Sequence, residues 1–287
     1  MPEACAPPSP WPSIWRVRDP MMQVRKRYGQ HFLHDPGVIR RIIDAVAPAA
    51  GERIVEIGPG RGALTWELLR RANALDVIEI DRDLAQSLRL DARAAGGLRV
   101  HVENALAADF GRLRADGARL RIVGNLPYNI STPLLFHLLS QRAALEDMHF
   151  MLQKEVVDRM TAQPSNKTYG RLTVMLAAVA EVEHLFDVGP GAFQPRPAVW
   201  SAMVRLRPAH KSRFDIGDEG MLRTLVTAAF SHRRKTLRNG LKGLLTPEEI
   251  AACGIDPQLR PEALAPEQFG LLAARRSRLY SNSNDRL

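Results

Sequence analysis

We predict an α/β fold in which a doubly wound parallel sheet is followed by a small all-α domain. Short apolar runs typical of buried strands alternate with amphipathic helical patterns as far as residue 208, which is typical of a parallel sheet with helices on both faces. Beyond residue 208 only helical patterns remain. The chain should therefore divide into a Pro-rich mobile tail over 1–22, an α/β domain over 23–207 and a helical domain over 213–287.

Local patterns predict the individual elements. Asp35 and Pro36 have the residue types of a helix N-cap and first helical residue, and an apolar helical stripe follows them. Strands are predicted at Arg53–Ile57, 75–80, 98–102, 119–124 and 148–153, with an antiparallel edge pair at 181–186 and 199–206. Further helices are predicted at 64–72, 84–94, 133–139, 221–230, 233–245, 247–253 and 266–279.

Composition excludes several classes of protein. Of the 287 residues, 45% are apolar and 25% charged, as in ordinary globular proteins and unlike disordered or fibrous ones. No apolar run approaches the roughly 20 residues that span a bilayer, so no membrane partner is expected. The two cysteines, Cys5 and Cys253, are too few for a disulfide framework or a zinc–thiolate site. We expect no metal, and a reducing cytoplasm as the location.

Charge indicates a nucleic-acid partner. The formal net charge is +9, and a basic balance of this size favours an anionic polymer. One basic cluster comprises Arg25, Lys26 and Arg27, and a second comprises Arg233, Arg234, Lys235, Arg238 and Lys242. In a helix, residues 234, 238 and 242 would share one face and could follow a line of phosphates. The alternative is a solvated helix face without a partner.

A glycine-rich turn follows the first long strand. Gly58, Gly60 and Gly62 come directly after it, where glycines let the backbone approach a ligand closely. Glu79 ends the next strand and could accept hydrogen bonds from both hydroxyls of a ribose. Asn104 follows the third strand and could accept from an adenine amino group, or could simply form a turn. Together these residues favour a nucleoside cofactor, although the spacing differs from the dinucleotide-binding pattern.

The tetrapeptide Asn125-Leu126-Pro127-Tyr128 is the most informative motif. It follows the fourth strand, at the carboxyl edge where such sheets bind ligands. Asn125 offers an amide oxygen, Pro127 removes a competing N–H donor, and Tyr128 offers a flat ring. Two acceptors and a stacking surface suit an exocyclic adenine amino group, which they could orient for attack on an electrophilic methyl group. The alternative is a turn with a buried tyrosine.

With these motifs the sequence resembles the ribosomal RNA adenine N6,N6-dimethyltransferases, and most closely the bacterial enzymes that act on the small ribosomal subunit. The resemblance covers about residues 23–270. It rests on seven stretches in the expected order: KRYGQHFL (26–33), VEIGPGRGALT (55–65), IEID (78–81), GNLPYNIS (124–131), MLQKEV (151–156), AFQP (192–195) and RRKTLRN (233–239).

The resemblance implies a Rossmann-like class I methyltransferase domain that uses S-adenosyl-L-methionine. In this cofactor site, His31, Leu33 and Gly58 would lie near the methionine end, Glu79 would bind the ribose, and Asn104 would bind the adenine. The target base would be held by Asn125, Leu126 and Tyr128, with Phe193 stacking on its other face. Asn125 would also lie beside the reacting methyl group.

Two positions depart from the family pattern. His31 stands where the bacterial enzymes usually have Asn, and Asn104 stands where they usually have Asp. An amide oxygen accepts a weaker hydrogen bond than a carboxylate, so the bond from Asn104 to the cofactor should be weaker.

The implied substrate is the 3′-terminal hairpin loop of 16S ribosomal RNA within an immature small subunit, dimethylated at N6 of two adjacent adenosines by a monomeric enzyme. One alternative is a 23S ribosomal RNA dimethylase of the macrolide-resistance type, which shares the cofactor and the Asn-Leu-Pro-Tyr motif. The other is a ribosome-assembly factor without catalytic activity, against which Glu79 and the intact motif at 125–128 argue.

Overall fold

The computed structural model describes residues 31–114, 117–232 and 234–284. The predicted tail at 1–22, the basic cluster Arg25, Lys26 and Arg27, and Arg233 all lie outside these residues. Within them, no helix is long and apolar enough to cross a membrane.

The main sheet has seven strands, with five parallel strands and an antiparallel pair at one edge. Its order is β4-β3-β2-β5-β6-β9-β7. The strands are β2 (Arg53–Ile57), β3 (Leu75–Ile78), β4 (Leu98–His101), β5 (Leu120–Asn125), β6 (Leu145–Gln153), β7 (Ala180–Val188) and β9 (Ser201–Pro208). β9 runs antiparallel to both β6 and β7. The predicted α/β class and its antiparallel edge pair are therefore confirmed.

Helices cover both faces of this sheet. They are α1 (Pro36–Val46), α2 (Thr65–Ala72), α3 (Arg82–Ala95), α4 (Ser131–Ser140), α5 (Lys154–Met160), α6 (Arg171–Val179), α7 (Glu219–Ala229), α8 (Leu237–Gly240), α9 (Pro247–Ala251) and α10 (Pro266–Asn284). Short 3-10 helices lie at Phe110–Leu113, Arg142–Ala144, Pro190–Ala192 and Pro261–Ala263. The sequence pattern predicts no element at α5 or α6.

The first helix forms as its sequence predicts. The Asp35 side chain accepts hydrogen bonds from the backbone N–H groups of Gly37 and Val38, at 2.8 and 2.9 Å, and so satisfies donors that the first turn leaves unpaired. Pro36 needs no such partner. The apolar stripe of α1 is buried against the β2 side of the sheet, so burial of this face stabilises the helix.

A second, two-stranded sheet connects distant parts of the chain. β1 (Phe32–Leu33) pairs antiparallel with β8 (Phe193–Gln194). His34 N–H also donates to the Ala192 carbonyl at 3.0 Å. The segment before α1 is thereby held above the carboxyl edge of the main sheet, close to the end of β5.

The helical C-terminal part packs on the same core as the sheet. β9 ends at Pro208, and no strand follows it among the described residues. Leu222 and Leu225 on α7 and Phe269 on α10 join the apolar cluster that also contains α4, α6 and one face of the main sheet. One continuous core spans residues 208–216. A division into two domains there remains a prediction.

The helix predicted over 233–245 is wrong. Of the described residues 234–245, only those of α8 are helical, and Lys242 lies in a turn beyond its end. The N–H groups of Leu237 and Arg238 donate to carbonyls of Leu259 and Pro257, at 2.8 and 2.9 Å. Gly243, with φ of 87°, adopts a left-handed conformation that ends helical geometry. The basic residues therefore do not form a single helical stripe.

One guanidinium connects three elements at the opposite edge of the sheet. Arg121 on β5 donates to both carboxylate oxygens of Asp147 on β6, each at 3.0 Å. It also donates to Glu52 and to the Val46 carbonyl at the end of α1, each at 2.7 Å. Burial alone would raise the pKa of Asp147, but the nearby His149 ring and the Arg121 guanidinium outweigh it and lower the pKa to about 2.

Replacing Arg121 by leucine should lower the free energy of unfolding by about 3–5 kcal/mol, because it leaves a largely buried carboxylate without its cation. The Arg121 and Asp147 side chains are each only 13% exposed. Since the pKa of Asp147 is depressed, its stabilising effect is present above the pKa of an unfolded Asp and is lost as the pH falls towards 2. Urea unfolding at pH 7 and at pH 3 measures both effects.

Arg119→Leu provides the control. Arg119 pairs with Glu146 at 3.5 Å, with both side chains about half exposed, so its loss should cost under about 1 kcal/mol. An equal loss of stability in the two variants would contradict this account of the Arg121 contacts.

Candidate active site

A cavity of about 250 Å³ opens at the carboxyl edge of the parallel strands. Its wall combines residues 31–33 (the β1 segment), the turn after β2, and the residues at the ends of β3, β4 and β5. Eight of the predicted site residues line it: His31, Leu33, Gly58, Glu79, Asn104, Asn125, Leu126 and Tyr128. The sequence thus brings residues from five separate segments to one place, as expected for this edge of such a sheet.

The glycine-rich turn is fixed at both ends. The Gly58 N–H donates to the Ile78 carbonyl at 2.9 Å, which ties the start of the turn to β3. At the other end, the Thr65 hydroxyl donates to the buried Glu56 carboxyl at 2.6 Å. Gly58 has φ of 67°, a conformation that disfavours residues with a Cβ atom. The turn therefore presents a bare backbone to the cavity.

Glu56 is a cavity-lining carboxyl for which the sequence predicts no role. Burial, together with the nearby charge of Glu79, raises its pKa to about 8, while the Thr65 hydroxyl acts in the opposite direction. The Glu56 carboxyl is therefore mainly protonated at neutral pH. Its position directly before the glycines is the sequence feature that could have predicted this role in fixing the turn.

Glu79 is held by the backbone around it. One carboxylate oxygen accepts from the Gly60 N–H at 3.2 Å and the other from the Asp81 N–H at 2.9 Å. The side chain is buried, and burial raises its pKa although both N–H groups oppose this change. Each oxygen keeps acceptor capacity for one more hydrogen bond, so Glu79 can bind a pair of hydroxyl groups.

Asn104 and Ile80 form the outer wall of the cavity. The Asn104 side-chain oxygen accepts from the Leu106 N–H at 3.0 Å. Asn104 therefore forms a turn, which was the alternative to a cofactor contact, and it also lines the cavity. Ile80, for which the sequence predicts no role, is 44% exposed on this wall. An apolar surface beside an amide oxygen suits a planar heterocycle with an amino group.

Asn125 is oriented by a contact across 94 residues of sequence. Its side-chain NH2 donates to the His31 carbonyl at 3.0 Å. Because a carbonyl can only accept, this bond fixes which end of the amide is the donor and leaves Oδ1 as an acceptor. The Leu126 carbonyl oxygen beside it accepts no backbone hydrogen bond among the described residues. Two adjacent acceptors are therefore available at the end of β5.

Tyr128 is fixed by its hydroxyl and by a neighbouring ring. Its hydroxyl lies 2.8 Å from the hydroxyl of Ser201 at the start of β9, and burial raises its pKa while Ser201 opposes the shift. The His31 ring packs against the Tyr128 ring, with 5.7 Å between ring centroids. His31 Nδ1 is in turn held by the Pro195 carbonyl at 2.8 Å. The aromatic surface of Tyr128 is thus pre-oriented.

Phe193 does not lie on the cavity wall. It is 2% exposed, on β8, where it pairs with Leu33 and packs in the apolar cluster beneath the turn. The role of stacking on a target base, predicted from resemblance, therefore has no support from its position and stays a prediction. Its large apolar ring is instead buried among side chains of α1 and the sheet.

The second basic cluster lies on the surface of the C-terminal part. Arg234, Lys235, Arg238 and Lys242 are all exposed, on and around α8. No group of three or more His, Cys, Asp or Glu side chains that could hold a metal ion occurs in the described part of the chain.

Comparison with known proteins agrees with this site. A family model described as ribosomal RNA adenine dimethylase matches residues 21–275. A protein of Methylococcus capsulatus called ribosomal RNA small subunit methyltransferase A is 55% identical over 84% of this chain and 93% of its own length. Proteins of the same name from Nitrosococcus oceani and Pseudomonas aeruginosa are 54% and 51% identical, over 86% and 91% of this chain and 94% and 97% of theirs.

Solved structures give the same result. A dimethyladenosine transferase from Plasmodium falciparum has a TM-score of 0.74 and 25% identity over 89% of this chain and 98% of its own. The 23S rRNA methyltransferase ErmE has a TM-score of 0.68 and 27% identity over 85% of this chain and 98% of its own. Sequence identity is much higher with the small-subunit methyltransferases than with either of these two structures. The chain belongs to the ribosomal RNA adenine dimethylase family, among the small-subunit methyltransferases.

Proposed function

We propose that this protein transfers methyl groups from S-adenosyl-L-methionine to the N6 atoms of two adjacent adenosines in the 3′-terminal hairpin loop of 16S ribosomal RNA, during assembly of the small subunit. The observation that carries the proposal is the pair of acceptors at Asn125 and Leu126 beside the fixed ring of Tyr128. Family membership and the identity to small-subunit relatives support the choice of substrate.

The donor set of the cavity fits this cofactor. The Glu79 carboxylate can accept from both ribose hydroxyls, Asn104 can accept from the adenine amino group beside Ile80, and the bare turn at Gly58 leaves room for the methionine part. His31 and Leu33 would border that part from the β1 segment. When bound, S-adenosyl-L-methionine supplies an electrophilic methyl group.

The residues of the chain orient the nucleophile. The N6 lone pair of adenine is delocalised into the ring, so the amino group must be turned towards tetrahedral geometry before it can attack. Asn125 Oδ1 and the Leu126 carbonyl would each accept one N6 hydrogen, while the Tyr128 ring holds the plane of the base. No general base is needed, because the proton leaves after attack, when the nitrogen is cationic.

Methylation of isolated subunits tests the proposal. The protein and S-adenosyl-L-methionine are incubated with unmethylated small subunits or with large subunits, and the RNA nucleosides are analysed by mass spectrometry. We expect N6,N6-dimethyladenosine in small-subunit RNA only. Product only in large-subunit RNA would identify the resistance-type activity, and no product despite binding to small subunits would identify an assembly factor without catalysis.

We further propose that the cluster of Arg234, Lys235, Arg238 and Lys242, with Arg233 and with Arg25, Lys26 and Arg27, binds ribosomal RNA phosphates. All four described residues of the α8 cluster are exposed, and neutralising phosphates releases counterions, which makes binding salt-dependent.

The double substitution Arg234→Glu and Arg238→Glu should weaken binding to small subunits. It should also make the negative slope of log binding constant against log salt concentration shallower by about 2, one for each lost phosphate contact. Arg40→Glu with Arg89→Glu is the matched control, because it makes the same charge change on exposed residues of α1 and α3. Affinities measured at four salt concentrations decide the matter. Equal slopes in the two double variants would rule out specific phosphate contacts at α8.

A further inference from the structure

Large apolar side chains are exposed along the edge of the sheet that carries the cavity. Trp200 and Val199, just before β9, are 55% and 43% exposed. Ser201 pairs with Gln153 at the end of β6, so this segment lies at the carboxyl edge of the parallel strands. Unlike Ile80 on the same edge, Trp200 does not line the cavity, and the cofactor site therefore gives no reason for its exposure.

Trp200 is connected to the base-binding residues through its neighbour. The Ser201 hydroxyl is 2.8 Å from that of Tyr128, so covalent geometry places the Trp200 Cα within about 9 Å of the Tyr128 hydroxyl. The Trp200 carbonyl accepts from the Lys154 N–H at 2.9 Å, which fixes its backbone. Its ring lies against Gly189, where an added Cβ atom would be 3.7 Å from the indole. The indole is therefore a supported surface beside the active site.

The charges around Trp200 suit an RNA strand. Arg196, in the same loop, is exposed. The nearby carboxylates of Asp158 and Asp187 are both paired with Lys154, each at 3.1 Å. A phosphate next to the indole could thus be approached by the Arg196 guanidinium of the same loop, while the two carboxylates share the ammonium group of Lys154.

We propose that Trp200 stacks on a nucleotide that flanks the target adenosine. This inference rests on the proposed function, which requires an adenosine to leave its stack and enter the cavity. Its neighbour then loses a stacking partner, and an exposed indole within one residue of the Tyr128 contact replaces it. Base–aromatic stacking is tolerant of sequence, so Trp200 positions the strand without selecting a base.

Two variants separate stacking from simple packing. Trp200→Phe keeps an aromatic face, whereas Trp200→Leu keeps only apolar bulk. With small subunits as substrate, we expect Trp200→Leu to raise KM about tenfold with kcat changed less than about twofold, and Trp200→Phe to retain most of the affinity. Cofactor affinity should be unchanged in both, and Val199→Ala should behave like the unsubstituted protein.

Intrinsic fluorescence gives a readout that needs no catalysis. RNA of the 3′-terminal hairpin should quench tryptophan emission of the unsubstituted protein, and this quenching should be largely lost in Trp200→Phe although that variant still binds. Equal KM values for the Leu variant and the parent, or quenching in Trp200→Phe as large as in the parent, would overturn the inference. Absence of methylation by the parent would reject the proposed function instead, and the quenching titration would still decide the role of Trp200.

Discussion

Replacing Asn125 by alanine should lower the rate of methyl transfer by about 10²- to 10³-fold, the loss typical when one pre-oriented group that stabilises developing charge is removed. The reason is geometric. The hydrogen bond from Asn125 to the His31 carbonyl holds Oδ1 as an acceptor before the substrate arrives. Without it, one N6 hydrogen has no partner and the amino group is no longer turned towards the methyl donor. Single-turnover methylation of small subunits measures this rate.

Asn129→Ala is the matched control for this prediction. Asn129 also lines the cavity and carries the same amide, but it is exposed and lies beyond the tetrapeptide. We expect its rate to stay within about threefold of the parent, since it lies outside the pair of acceptors at Asn125 and Leu126. Thermal unfolding and cofactor affinity should be similar in both variants. A comparable loss of rate in Asn129→Ala would show that the effect comes from the cavity in general.

Local sequence patterns predicted much of the site because the fold brings the ends of its parallel strands together at one edge. The carboxyl ends of parallel strands meet at one edge, so Gly58, Glu79, Asn104 and Asn125 could be grouped from strand order alone. Gly58 and Glu79 follow mostly buried strands and Asn125 ends one, whereas β4, which precedes Asn104, is only partly buried. The apolar alternation that identifies such strands is a short-range signal, which a single sequence carries well.

Contacts between distant segments could not be predicted in the same way. The bond from Asn125 to His31 and the contact of Tyr128 with Ser201 join residues 94 and 73 positions apart. No periodicity encodes them, and the pairing of β1 with β8 has no turn signal that would reveal it. These contacts explain why His31 supports Tyr128, and why Phe193 is buried in the core instead of on the cavity wall.

The incorrect helix over 233–245 has a similar origin. Leu237, Leu241 and Leu245 have helical spacing and are all buried, so the pattern correctly identifies which side chains face the core. A short helix followed by turns satisfies the same spacing, because the 257–259 segment accepts the first backbone N–H groups. Tertiary contacts thus override local propensity here.

Replacing Glu79 by glutamine should weaken cofactor binding about 10- to 100-fold, although the two side chains have nearly the same shape. Both carboxylate oxygens already accept backbone N–H groups, one from Gly60 and one from Asp81. Whichever way a glutamine amide turns, its NH2 group faces one of these donors, which is left unpaired in a buried place. The same substitution also removes one of the acceptors for the ribose hydroxyls.

The effect of pH distinguishes this explanation from a general disturbance of the cavity. Because burial raises the pKa of Glu79, its ionised form is lost at a higher pH than that of an exposed Glu. Cofactor affinity of the unsubstituted protein should therefore fall as the pH is lowered, while the weak affinity of Glu79→Gln should change little. Glu103→Gln, an exposed carboxylate on the same cavity wall, should keep the affinity and pH dependence of the parent. Calorimetric titration between pH 5 and 7, below the pKa of about 8 of the neighbouring Glu56, tests this pattern, and equal pH dependence in Glu79→Gln and the parent would assign the titration to another group.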